Sequence, residues 1–175
     1  MTLLNVLLIG AGTMGSVHGE AFTKMENTVL TGIVDKNLEK AKALAERLKT
    51  RAFQTYDEAI EVLEKVDVVS ICVPTPFHKL YTKSAADHGI HVICEKPLAR
   101  NLEDAREMIN YCQEKNVKLF VGHVVRFSLS MFRLKTLWRK EKSEMSRLYE
   151  HQEEAAFQKH PMIGMRIMKK AAVWF

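Results

Sequence analysis

No apolar run in the 175 residues approaches the roughly 20 that a membrane-spanning helix needs. The apolar start, MTLLNVLLIG, has no basic region before it and no small-residue cleavage site, so it is not expected to be a secretory signal. Cysteine is scarce and odd in number. Cys72, Cys94 and Cys112 lie far apart in apolar surroundings, which argues against a disulfide frame or a metal site and for buried, reduced thiols in a cytoplasmic protein. Internal repeats and low-complexity stretches are absent too. The net charge of +5 hints at an anionic partner, but the first 132 residues carry 16 basic and 16 acidic side chains, a balance of zero. The whole excess sits in residues 133–175, with ten basic and five acidic residues. That density is too low for a nucleic-acid arm. Met162, Ile163, Met165, Ile167 and Met168 form no single helical stripe, and Pro161 interrupts the approach, which counts against a membrane-surface helix. Asp is missing after Asp104, and four of the nine Met follow Trp138, so composition breaks near residue 138.

The first 122 residues alternate strand and helix signals. Apolar, β-branched runs occur at 3–9, 29–34, 66–73, 91–95 and 117–122, with a weaker one at 51–53. Helical patterns fall between them at 14–26, 37–49, 57–65, 77–88 and 102–115. Asn37, Thr55 or Asp57, and Asn101 stand where N-caps belong. Strands that read as continuous apolar runs, alternating with helices, predict a parallel sheet covered on both faces, a doubly wound α/β domain of Rossmann type.

The first strand runs into Gly10-Ala11-Gly12-Thr13-Met14-Gly15, and Asp35 closes the second strand 20 residues after Gly15. A G-x-G-x-x-G alone is weak evidence. After a strand, opening a helix, and followed by an acidic residue at this distance, it is the dinucleotide fingerprint. Gly10 suits the tight turn, Gly12 lets the backbone approach a pyrophosphate, and Gly15 lets helix and strand pack. The helix start, Thr13 and Met14 included, offers amide N–H groups to phosphates. Asp35 would accept from both ribose hydroxyls and repel a 2′-phosphate, which favours NAD. Lys36 beside it leaves room for NADP. Val73-Pro74-Thr75-Pro76-Phe77-His78 follows another strand, where ligands of open α/β sheets bind. Pro74 and Thr75 would fix a rigid loop there. His78 either reaches a ribose or nicotinamide or only caps the next helix, and the residues leave that choice open. Glu95-Lys96-Pro97 follows the next strand. A Lys there can donate to a substrate oxygen or take part in proton transfer, whereas an isolated Glu-Lys would be a solvated ion pair.

Together GAGTMG, the Asp35 strand end, VPTPFH, HVICEKPLA and VGHVVRF resemble the glucose–fructose oxidoreductase/inositol dehydrogenase/rhizopine-catabolism (Gfo/Idh/MocA) family over roughly residues 3–137. The resemblance implies an NAD(P)-binding Rossmann domain at 1–122. A lead-out helix at 123–138 would then open a second α/β domain whose sheet often mediates homo-oligomers. It implies oxidation or reduction of a sugar, cyclitol or related polyol, with no metal. By the same resemblance Lys96 is the catalytic residue beside substrate and nicotinamide. Glu95, Pro97, Pro74 and His78 line the cofactor crevice, and Arg126 lies where the chain leaves for the second domain. The family's second-domain Asp/His pair has no counterpart after Arg126. His151 and His160 lie in no matching motif.

Residues 139–175 therefore read as an aberrant basic tail. Read from the third base of each codon, Met162-Ile163 must encode Asp, Met168-Lys169 must encode Glu, and Trp174-Phe175 must encode Val. Synonymous choices allow YDWYEDYEKSGGVV over 161–175 and EKGKIGDVSTIRAPRRSGVP over 139–158, strings resembling the family's own continuation. The expectation is a frame-shifted tail on a truncated oxidoreductase that keeps cofactor binding with little turnover. The alternatives are a non-catalytic nucleotide-binding module or partner subunit, and a poorly folded product.

Overall fold

The computed structural model describes residues 3–123. The chain order is β1 (Leu4–Ile9), α1 (Thr13–Lys24), β2 (Thr28–Val34), α2 (Leu38–Leu48), β3 (Ala52–Phe53), α3 (Tyr56–Val62), β4 (Val68–Ile71), a 3-10 turn (Thr75–Phe77), α4 (His78–Asp87), β5 (His91–Glu95), α5 (Leu102–Glu114) and β6 (Leu119–Gly122). The strands form one six-stranded sheet in the order β3-β2-β1-β4-β5-β6. The pairings of β1 with β2 and β4, of β2 with β3, and of β4 with β5 are parallel.

The pleat explains why the strands read as unbroken apolar runs. Successive side chains point to opposite faces, and both faces are covered. Leu7, Ile9, Val69 and Ile71 join the larger core, which contains Ala59, Ala85, Ala86, Met108 and Cys112 from α3, α4 and α5. Their neighbours Leu8 and Val6 point the other way. Leu8 packs with Ala41, Leu44 and Ala45 of α2, and Val6 with Phe22 of α1. The sheet is thus sandwiched between α1 and α2 on one side and α3, α4 and α5 on the other. This is the doubly wound arrangement expected from the sequence.

Local chemistry sets the helix starts. Asn37 accepts from the Lys40 N–H, Thr55 from Glu58 and Asn101 from Asp104. Each cap stabilises its helix by about 1 kcal/mol. The run at 66–73 is longer than the strand it produces. Asp67 donates its N–H to Asn5 O (2.8 Å) below the ladder, and its carboxylate accepts the Asn5 N–H at 2.8 Å. At the other end, Cys72 donates to Ile9 O (2.7 Å) and the chain then turns out of the sheet. Among the described residues no helix is long and apolar enough to cross a membrane. Arg126, the lead-out helix beyond His123, and the tail at 139–175 lie outside the described residues.

Candidate functional site

Strand register brings the candidate residues to one edge. Ile9 is paired with Val34 and with Ile71, and Ile71 with Cys94. The residues that follow, Gly10, Asp35, Cys72 and Glu95, therefore emerge side by side at the carboxyl end of the sheet. In this strand order β1 lies between β2 and β4, and the connections leaving β1 and β4 go to opposite faces. A crevice opens where they part, the place where open α/β sheets bind ligands.

The glycine loop forms its floor. Gly10 has φ +102° and donates to Val34 O at 2.7 Å. A Cβ on Gly10 would stand 2.5 Å from Cys72 O, and one on Gly15 only 1.8 Å from Gly10 O. Gly12 differs: among the described residues nothing lies within 4 Å of the position its Cβ would take. It is exposed and faces open space at the head of α1. That helix starts with no side-chain cap and no acidic residue in its first turn. Its leading N–H groups and the positive end of its dipole are thus left for an anion. Thr13 is exposed and Met14 half-buried beside them.

Asp35 locks onto this loop. Its Oδ2 accepts the Ala11 N–H (2.8 Å) and its Oδ1 the Asn37 N–H (2.9 Å). Each oxygen keeps acceptor capacity, so the half-buried carboxylate can still take a diol. Lys36 is exposed next to it. A pyrophosphate at Gly12 and a ribose at Asp35 therefore suit the groups present.

The opposite wall comes from the exits of β4 and β5. Pro74 is exposed and Thr75 half-buried in the 3-10 turn. His78 is 1% exposed. Its Nε2 faces Val73 O (2.8 Å), and its Nδ1 faces Pro97 O (3.1 Å) and Leu98 O (3.3 Å). The ring lies between the two loops, with one nitrogen facing a carbonyl of the first and the other facing carbonyls of the second, and the N–H of the ring donates to one of them. His78→Ala should leave the carbonyl that the ring N–H serves unpaired, open a cavity between the loops and lower stability by about 2 kcal/mol, read as a shifted urea midpoint.

Glu95 and Lys96 diverge. Glu95 is 5% exposed, with Oε1 accepting from His18 Nε2 at 3.0 Å and Oε2 from the Lys96 backbone N–H at 3.2 Å. Lys96 and Pro97 are exposed, and their peptide bond is cis. Among the described residues the Lys96 ammonium makes no ion pair, so the solvated Glu–Lys pair does not form. The partner that sequence reasoning missed is His18 on α1. It lies one turn past Gly15, and nothing local ties it to β5. The thiols do not contribute: burial pushes Cys72 and Cys94 up to about 12 and Cys112 to about 11. No cluster of three metal-ligating side chains occurs among the described residues.

Residues 4–123 match the oxidoreductase family with an NAD-binding Rossmann fold, GFO_IDH_MocA. The chain belongs to the Gfo/Idh/MocA oxidoreductases. It is similar to D-glucoside 3-dehydrogenase of Escherichia coli (35% identical over 133 residues, 75% of this chain and 38% of that protein). It is also similar to myo-inositol 2-dehydrogenase of Thermotoga maritima (31% over 134 residues, 75% of this chain and 40% of that protein). Among solved structures, GenD2 from gentamicin A biosynthesis, in complex with NAD, superposes with a TM-score of 0.74 at 28% identity, covering 78% of this chain and 39% of GenD2. The chain thus spans about two-fifths of the length of these Gfo/Idh/MocA relatives.

Proposed function

We propose that this chain is the dinucleotide-binding half of an NAD-dependent Gfo/Idh/MocA oxidoreductase acting on a sugar, cyclitol or related polyol. The observation that carries the reading is the open head of α1 at Gly12 beside a carboxylate held by the same loop. NAD bound there would supply or accept the hydride. The chain's own residues divide the remaining work. The first-turn amides of α1, from Thr13 to Gly15, hold the pyrophosphate. Asp35 takes the adenosine ribose diol and disfavours a 2′-phosphate, with Lys36 the route by which NADP is tolerated. Pro74, Thr75 and His78 shape the wall that excludes water, together with Pro97. Lys96 donates to the substrate oxygen, and Arg126 belongs where the chain leaves the domain. A proton acceptor from a second domain completes the reaction. Two of the relatives named above are a D-glucoside 3-dehydrogenase and a myo-inositol 2-dehydrogenase, which supports the substrate class. Unlinked thiols, buried at Cys94 and Cys112 and half-buried at Cys72, fit a cytoplasmic setting. Association into a homo-oligomer, without nucleic acid or membrane, is part of the same proposal.

We further infer that residues 139–175 are read from a shifted frame, because composition and family pattern break together near residue 138. Sequencing those codons decides it: a confirmed, uninterrupted frame through Phe175 in close relatives would overturn the inference. For the chain itself, calorimetric titration should show NADH binding one to one with preference over NADPH, and little turnover on a polyol panel. Turnover at ordinary dehydrogenase rates would contradict the half-enzyme reading. NADH binding that depends on 139–175 and on another protein would favour a partner subunit. Asp35→Ser should reduce the NADH-over-NADPH preference by about tenfold or more, since it removes a charge that repels the 2′-phosphate. An unchanged ratio in paired titrations would place the ribose elsewhere.

A further inference from the structure

Glu95 and Lys96 leave β5 as adjacent opposite charges, yet the carboxylate turns down to α1. There it meets His18 Nε2 at 3.0 Å, and the two side chains are 6% and 13% exposed. The other ring nitrogen, Nδ1, stands 2.9 Å from Oγ of Ser70, a β4 residue with no exposed surface. Phe22 packs edge-on to the ring, with centroids 6.3 Å apart. Nε2–H donates to the carboxylate, and Nδ1 has the Ser70 hydroxyl as its hydrogen-bond partner. The imidazole is therefore held at both nitrogens and along one edge.

A carboxylate this deeply buried must have a partner. Among the described residues His18 serves in space, and the ammonium of Lys96 is the cation next to Glu95 in the chain. Because His18 supplies the N–H, the carboxylate is satisfied below the crevice. The second oxygen fixes the Lys96 backbone by accepting its N–H. Among the described residues the ammonium, on the exposed side, has no charged partner.

We propose that His18 is a positioning residue for Lys96: it retains the Glu95 carboxylate under the crevice and so keeps the Lys96 ammonium available to the nicotinamide half of the site. This rests on the nucleotide-site reading given above. Without His18 the carboxylate takes the neighbouring ammonium as its partner, drawing Lys96 down and neutralising it. The adenosine and pyrophosphate contacts, made by α1 and Asp35, are untouched by that change.

The test compares NADH with ADP-ribose, which lacks only the nicotinamide, by calorimetric titration of the full 175-residue chain and its variants. In His18→Ala, NADH should weaken relative to ADP-ribose by about tenfold or more, the equivalent of one hydrogen bond to a charged group. His18→Asn is the second variant should alanine fail to fold. Its shorter amide keeps a partner for Ser70 but does not reach Glu95, and it should show the same loss. His18→Gln, able to donate to Glu95 and accept from Ser70, should keep the wild-type ratio. Adding Glu95→Gln to His18→Ala should restore the ratio to within about threefold, because no carboxylate remains to capture Lys96. Parallel weakening of both ligands, or no restoration by Glu95→Gln, would overturn the proposal. A wild-type chain that binds neither ligand would instead overturn the nucleotide-site reading beneath it.

Discussion

Gly15→Ala is expected to unfold the domain or to lower its stability by more than about 4 kcal/mol, at the extreme of single substitutions. The added Cβ would sit 1.8 Å from Gly10 O and 2.9 Å from Gly10 C. The obstacle is backbone, so no side chain can swing aside. Nor can Gly10 retreat, because its own N–H is bonded to Val34 O at 2.7 Å. On its other side lies Cys72, 2.5 Å from where a Gly10 Cβ would be. The remaining escape is for α1 to lift from the sheet. That would open the contact at Gly19, whose missing Cβ leaves room for Leu48, Leu8 and Leu30. Circular dichroism through a urea titration checks this. A variant with a near-native midpoint would show that α1 tolerates displacement that this packing forbids.

Gly12→Ala should behave in the opposite way. Gly12 has φ −80°, which any residue adopts, and its Cβ would meet none of the described residues within 4 Å. The unfolding midpoint should move by less than the equivalent of about 0.5 kcal/mol. NADH affinity, by contrast, should fall about a hundredfold, or roughly 2.7 kcal/mol. The methyl group would occupy the space through which a pyrophosphate reaches the first-turn amides of α1. Stability and binding thus separate across three residues of one loop. Titration of the folded variant with NADH decides it, and undiminished affinity would remove the phosphates from this loop.

This contrast shows which parts of the molecule were legible in the amino-acid order. The three glycines were visible as a motif, and the tight turn read at Gly10 and the close packing read at Gly15 correspond to Cβ positions 2.5 Å and 1.8 Å from backbone oxygens. The sheet was readable because it is covered on both sides: Val6 to Ile9 are apolar at every position, and both sets of side chains are buried. Caps were readable because Asn37, Thr55 and Asn101 act on amides three residues away. Where apolarity was taken for strand, at Val73, it reported partial burial just past the last sheet bond, which Cys72 gives to Ile9 O. His78 could not be resolved from sequence, since its carbonyl partners at Pro97 and Leu98 arrive on a different loop. His18 was invisible for the same reason, with its carboxylate partner 77 residues along the chain.

Backbone amide shifts of the isotopically labelled chain, followed during NADH titration, test the central claim most directly. Saturable perturbations should concentrate at Gly10 to Ser16, at Asp35 and at Val73 to Phe77. They should leave the far face of α5 around Arg106 and Asn110 unmoved. No perturbation at millimolar NADH, or changes centred away from the carboxyl ends of β1 and β4, would contradict it.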